Sequence, residues 1–304
     1  MVETPLFDRA SVVRNRLRSR APNFLFNEVA ARLSDRLLDI QRTFPAALDF
    51  SGRPGLSDAL TDSGARAARG IETLFAVTDA PRYAGHGVSV IADSEVLPVA
   101  EGRIDLAMSV MSLHWANDLP GTLVQVRRAL RPDGLLLAAF LGGDTLTELR
   151  TCLSAAEIEI SGGLSPRIIP LADLRDAGGL LQRAGFALPV ADQDRINVTY
   201  ASPMALMHDL RAMGETNALS QRRKDFSSRA VFARATELYL QRYAKEGRIP
   251  ATFDVLYLTG WAPHESQQKP LRPGSATSRL ATALDTEEQP TGEKASPKPS
   301  KKIS

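Results

Sequence analysis

The sequence predicts an α/β fold: a doubly wound, mostly parallel sheet with a helical N-terminal extension and an inserted helical cover. Three observations carry this prediction. Short β-rich runs alternate with helix-patterned segments, as in parallel sheets with crossover helices. Two runs, Ile104–Met111 and Leu135–Leu141, are apolar at nearly every position, which suits strands covered on both faces. The 304 residues are 43% apolar but only 6% aromatic, so the core rests on Leu, Val and Ala.

Taken in order, residues 5–45 read as helical and basic. Arg9, Arg14, Arg16, Arg18 and Arg20 crowd the first of these turns. Such a run is read as a solvated face, or as a surface for an anionic partner or membrane. A first strand, Ala46–Phe50, runs into the turn Ser51–Gly55. A helix over Leu56–Ala68 and strands at Ile71–Val77, Val88–Ala92 and Ile104–Met111 follow. Leu119, Leu123, Val126 and Leu130 mark a helix over Asp118–Leu130. Arg131–Gly134 has the composition of a turn, and Leu135–Leu141 reads as the central strand. Asp144 stands where an N-cap belongs, ahead of a helix whose face is Leu146, Leu149, Leu153, Ala156 and Ile160. Cys152 lies within that helix as a small packed residue. Further helices are expected near Leu171–Ala184, Met204–Met213 and Arg229–Lys245, with late β-rich segments at Val198–Tyr200 and Phe253–Trp261. The expected organisation is a helical extension over 1–45 and a main domain over 46–270, with the helical cover at about 202–248. Residues 271–304, rich in Pro, Ser, Thr, Lys and Glu, are expected to be a disordered tail.

Composition excludes several classes. A net charge of +2, from 37 basic and 35 acidic residues, argues against a nucleic-acid protein recognised by bulk charge. One cysteine cannot form an internal disulfide or a multi-cysteine zinc site. No stretch approaches the roughly 20 apolar residues of a membrane span, and the N-terminus has no secretory apolar core. The four histidines lack metal-ligand spacing, so no metal site is expected.

In doubly wound sheets, ligands bind beyond the carboxyl ends of the strands. That rule selects 51–55, 78–82, 93–95 and 109–115. Asp79, at the end of the second strand, is placed to accept both hydrogen bonds of a ribose diol. Asp93, at the end of the third, is placed to accept from an adenine amino group. The candidate cofactor-binding residues are Asp49, Ser51, Gly52, Gly55, Asp79, Asp93, Ser94 and Ser109. The competing reading is that the acids are simply solvated at loop mouths.

The order Asp49-turn-Gly55, Asp79, Asp93 and strand Ile104–Met111 resembles the class I S-adenosylmethionine (SAM) methyltransferases. Ser112-Leu113-His114-Trp115-Ala116-Asn117-Asp118-Leu119-Pro120, Leu130-Arg131-Pro132-Asp133-Gly134 and Gly142-Gly143-Asp144-Thr145-Leu146 through Arg150 narrow the likeness. So do Leu164-Ser165-Pro166, Met213-Gly214-Glu215-Thr216-Asn217 and Gly260-Trp261 through His264-Glu265-Ser266-Gln267. Together they resemble the complex I assembly factor 5 family and its bacterial relatives. More loosely they resemble the malonyl-carrier-protein methyltransferase of biotin synthesis. The resemblance runs from about Leu6 to Thr277. It implies the seven-stranded, Rossmann-like class I methyltransferase fold, a final strand pair near 190–201 and 251–262, and SAM as cofactor. It also implies a protein substrate, a respiratory complex I subunit, and, as in the mitochondrial member, arginine hydroxylation in place of methyl transfer. Because family-like sequence already begins at Leu6, a bacterial cytoplasmic location is expected, at most peripheral to the inner membrane.

The chain departs from that family at its glycine-rich loop. Where the family has Asp-x-Gly-x-Gly-x-Gly, this sequence has Asp49-Phe50-Ser51-Gly52-Arg53-Pro54-Gly55. Arg53 either obstructs the cofactor or meets its carboxylate. His114 and Asp144 are the candidate catalytic residues: His114 for proton transfer, Asp144 for holding a guanidinium. Trp115 and Glu215 are the candidate substrate residues. Asn117 and Asp118 are read as starting the next helix, and His264 and Glu265 as surface groups. Oxygen insertion needs a redox partner, and neither a facial triad nor a flavin signature is legible. Three functions follow: a SAM-dependent enzyme acting on protein, a non-catalytic assembly factor with a degenerate pocket, and a carrier-protein or small-molecule methyltransferase.

Overall fold

The computed structural model describes residues 4–19, 24–80, 83, 88–268 and 286. The chain divides into a unit of residues 1–265 and a short C-terminal unit, 266–304. Arg20, His86 and, apart from Thr286, the expected tail lie outside the described residues.

Seven strands form one sheet: β1 (Ala46–Gly52), β2 (Thr73–Thr78), β3 (Val88–Ile91), β4 (Ile104–Val110), β5 (Leu130–Gly142), β6 (Ala187–Tyr200) and β7 (Ile249–Trp261), in the order β3-β2-β1-β4-β5-β7-β6. The first five are parallel, and β7 runs antiparallel between β5 and β6. The chain leaves β1 toward β2 and β3, then returns to its other side at β4. That reversal opens a crevice at the carboxyl ends of β1 and β4.

Burial follows the strand period of two. Leu135, Leu137, Ala139 and Leu141 of β5 face one core, while Leu136, Ala138 and Phe140 face the other. The first core is shared with α2 (Phe24–Leu38), α3 (Leu56–Asp62), α6 (Thr147–Ser161), α8 (Pro203–Met213) and α9 (Arg229–Tyr243). The second takes α5 (Leu119–Ala129) and α7 (Leu174–Arg183). A short α4 (Ala65–Ala68) precedes β2. No helix among the described residues is long and apolar enough to cross a membrane.

Several boundaries differ from the sequence reading. Arg131–Gly134 is not a free turn but the bulged start of β5. Ile104 pairs with Leu130 and Leu106 with Leu135, and the surplus is taken up where Asp133 adopts a φ of 64°. Asp144 does not cap α6. The N-cap is Leu146, in the left-handed region, and no side chain caps it. Ile160 is exposed, because the buried stripe ends at Ala156 and Glu157. The final pair does stand side by side, β6 antiparallel to β7, with α8 and α9 between them in the chain.

The basic N-terminus is the largest difference. Helix α1 (Arg9–Arg18) lies over the carboxyl ends of the strands, capped by Asp8, whose side chain accepts from the Ser11 N–H. Phe7 and Asn117 exchange two hydrogen bonds, at 2.7 and 3.2 Å. Asn15 donates to the Thr216 carbonyl at 2.8 Å. Gly214, at φ 82°, closes α8 where an added Cβ would stand 3.3 Å from the Arg16 Cα, so both its conformation and the close helix approach favour glycine. Arg16 is thus buried, not solvated, because its partner is a carboxylate that the sheet also buries.

Candidate functional site

The strand ends converge as the doubly wound topology requires. At the end of β1, the Asp49 carboxylate accepts the Ser51 N–H at 2.8 Å. Burial pushes the Asp49 carboxyl up to about 6, against the opposing pull of the Ser51 hydrogen bonds. Ser51 stands where the related loop has glycine. Its buried Oγ accepts the Val110 N–H at 2.8 Å, tying the β1 loop to the end of β4.

At the end of β2, the Asp79 side chain is 1% exposed. One carboxylate oxygen meets the Arg16 guanidinium; the other accepts the Ser94 N–H at 3.3 Å. Arg16 also donates to the Ser112 Oγ at 2.9 Å. Burial lowers the Arg16 pKa to about 10, opposed by Asp79, so the guanidinium stays charged at neutral pH. Arg9, two helical turns earlier, donates to Asp93 at 2.6 Å and stands 3.4 Å from Glu95 and 3.6 Å from Asp79. A Cβ on Gly52, at φ 71°, would meet the Arg16 guanidinium at 2.7 Å and Asp79 at 2.9 Å, so glycine admits this ion pair beside the loop.

At the end of β4, Met111 takes a φ of 51°, a strained conformation for a non-glycine residue, held by its N–H on the Ala139 carbonyl at 2.7 Å. This reversal leads into a single 3-10 turn, Leu113–Trp115. There the His114 Nε2 lies 3.0 Å from a Glu215 oxygen, and the Trp115 indole N–H donates to that same oxygen at 2.7 Å. Arg53 donates to the second Glu215 oxygen at 3.0 Å and to the Met213 carbonyl at 3.3 Å. Burial would raise the Glu215 pKa, but His114, Arg53 and Trp115 outweigh it and hold it at about 2. Burial also lowers the His114 pKa; Glu215 opposes this, while Arg53 and Arg16 add to it. The carboxylate facing Nε2 calls for a proton on that nitrogen. The Nδ1 lone pair is buried and has no partner among the described residues.

A cavity of about 120 Å³ adjoins this network, walled by Trp115, Leu141, Leu146, Leu149 and Leu210 and reaching Glu215. A second, lined by Asp49, Arg53, Gly55, Ala76, Thr78 and Tyr83, lies between the β1 loop and β2.

His114, Trp115 and Glu215 therefore come together, as do Asp79, Asp93 and Ser94. Ser109 is fully buried in β4, and its Oγ has no partner among the described residues. Asp144 joins neither group. Its side chain is 70% exposed and paired with Arg195 at 3.0 Å, while its N–H donates to the buried Asp254. Asp118 caps α5 through the Gly121 N–H at 2.8 Å. Asn217 braces the loop, donating to the Pro166 carbonyl. His264 and Glu265 are exposed. Sequence reasoning missed Arg9 and Arg16. A signal existed: Arg9, Val12 and Arg16 recur at i, i+3 and i+7, on one helix face. It is easily overlooked because two of its three members are charged.

The family described as "Methyltransferase domain" matches residues 51–138. The chain is 39% identical over 294 residues to "Arginine-hydroxylase NDUFAF5, mitochondrial" of Danio rerio, covering 91% of this chain and 88% of that one. The Homo sapiens protein of the same name is 42% identical over 263 residues, covering 84% and 74%. A malonyl-[acyl-carrier protein] O-methyltransferase of Laribacter hongkongensis is 39% identical over 185 residues, covering 61% and 60%. Among solved structures, a candidate methyltransferase of Bacillus halodurans superposes with a TM-score of 0.51 at 12% identity, covering 78% of this chain and all of that one. At that identity the likeness speaks for the fold alone.

Proposed function

Because the chain belongs to the NDUFAF5 arginine-hydroxylase family, we propose that it binds S-adenosylmethionine and acts on a protein side chain during respiratory complex I assembly. The reaction is methyl transfer or, as the relatives' name has it, hydroxylation of arginine. The observation that carries the cofactor part is the pairing of Asp79 and Asp93, on adjacent strand ends, with a β1 loop whose Gly52 and Gly55 both take positive φ.

The donor set fits an adenosyl group in kind. Asp79 would take the ribose diol and Asp93 the adenine amino group. Gly52 and Gly55 give the loop its positive-φ turns, with Arg16 and Asp79 beside the first and Phe26 beside the second. Bound there, the cofactor supplies an electrophilic methyl group on a sulfonium. The chain's own task is alignment and proton handling. Neutral His114 is the proton acceptor through Nδ1, with Glu215 fixing its tautomer through Nε2. Met111 and the 3-10 turn set that imidazole in place. Trp115 both walls the apolar cavity and anchors Glu215.

Calorimetric titration with SAM tests this reading, with S-adenosylhomocysteine as competitor. Saturable heat abolished by the competitor is expected; no heat would overturn it. Intact-mass analysis of complex I subunits from a deletion strain would then separate a gain of one methyl from a gain of one oxygen.

A second reading, a non-catalytic assembly factor, has one observation in its favour. Asp79 and Glu215 each already hold a guanidinium of the same chain.

A further inference from the structure

We infer that Glu215 is the floor of a guanidinium-binding subsite, and that Arg53 of the β1 loop is its tethered occupant. This deepens the proposed function and rests on its reading that the chain acts on an arginine side chain.

Three kinds of contact make the cradle. The carboxylate of Glu215, with a side chain 5% exposed, receives the Arg53 guanidinium at 3.0 Å. The Met213 carbonyl accepts a second N–H at 3.3 Å. The ring of Phe26 lies under the guanidinium carbon at 5.8 Å to its centroid. Carboxylate, carbonyl and aromatic face together suit a planar, weakly hydrated cation better than an ammonium. The largely apolar cavity walled by Trp115, Leu141, Leu149 and Leu210 also reaches Glu215, and the one cation in its lining, Arg167, is neutralised by Glu157 at 2.7 Å. Arg53 stands on the β1 loop between Gly52 and Pro54, so the side chain in the cradle comes from the loop itself. Its Nε remains buried and without a partner among the described residues, as expected of a group that only partly matches the cradle.

A guanidinium that takes the Glu215 oxygen held by Arg53 must displace Arg53. The occupancy adds no covalent chemistry. It sets the affinity with which the subsite accepts another cation, and it keeps the buried Glu215 charge compensated when no substrate is bound.

The test uses the full-length chain without cofactor and N-ethylguanidinium at millimolar concentration, followed by indole fluorescence and by thermal melting. R53G should bind the probe about tenfold or more tightly than the unaltered chain, as expected for one freed charge-assisted pair. Its melting temperature should rise with probe concentration. Ethylurea, which has the shape without the charge, should not bind. R53G/E215Q should lose the binding. Equal affinity in R53G and the unaltered chain would overturn the inference, as would binding that survives E215Q. If R53G does not fold unaided, refolding yield decides. Recovery with N-ethylguanidinium but not with ethylurea supports the subsite; equal recovery with both refutes it. Because SAM is absent throughout, this experiment and the SAM titration fail independently.

Discussion

The guanidinium of Arg16, on the first helix, lies against the carboxylate of Asp79 at the end of the second strand, with side chains 2% and 1% exposed. Two charges so far from water are tolerated because they face one another and because Ser112 and the Ser94 N–H add hydrogen bonds, although the Arg16 Nε has no partner among the described residues. The pair joins the N-terminal helix to the strand end expected to hold a ribose.

Removing one partner should expose the cost of the other. R16A should lower stability by about 3–5 kcal/mol, leaving buried Asp79 with only the more distant Arg9, at 3.6 Å, as a countercharge. R16A/D79N should be less damaging than the sum of R16A and D79N, with a coupling of about 1–3 kcal/mol by urea denaturation. Strict additivity would mean that the two side chains do not interact in solution.

Glu215 gives a pH prediction. Its folded pKa, about 2, lies below the usual 4.5. The stability it contributes is complete above pH 4.5 and is lost as the pH falls toward 2. Melting temperatures at pH 5, 4 and 3 should therefore fall more steeply in the unaltered chain than in E215Q. Asp8 and Glu157, also held at about 2, titrate alike in both proteins and cancel from the comparison.

Asp49 has the opposite sign. Its folded pKa of about 6 exceeds the usual 3.8, so its buried charge costs stability at neutral pH, and that cost is relieved as the pH falls from about 6 to 3.8. D49N should melt higher than the unaltered chain at pH 7.5 and no higher at pH 3.5. An advantage that persists at pH 3.5 would point to packing in place of charge.

Restoring the loop glycine at position 51 should destabilise the protein. S51G removes the acceptor for the buried Val110 N–H, a loss of about 1–3 kcal/mol, and adds backbone freedom to the unfolded chain. Chemical denaturation reads this directly. A neutral S51G would mean that water or another acceptor takes over the Val110 N–H.

Much of this protein was legible along the chain. The alternation of strand and helix, the doubly apolar runs at β4 and β5, and the acids ending β2 and β3 are local patterns. They survive folding because period and burial are set residue by residue. The crevice followed from topology, and His114, Trp115 and Glu215 were each legible as members of motifs. Their meeting on one carboxylate was not, since Glu215 lies 101 residues from His114.

The basic first helix shows where local reading stops. Sequence alone fixes five arginines in twelve residues, and a charge run by itself belongs in water. Only the tertiary structure supplies the carboxylate at Asp79 that turns Arg16 inward, the one at Asp93 that holds Arg9 at the surface, and the one at Glu215 that holds Arg53. Where a charged side chain settles is decided by its partner, and these partners stand 63, 84 and 162 residues away along the chain.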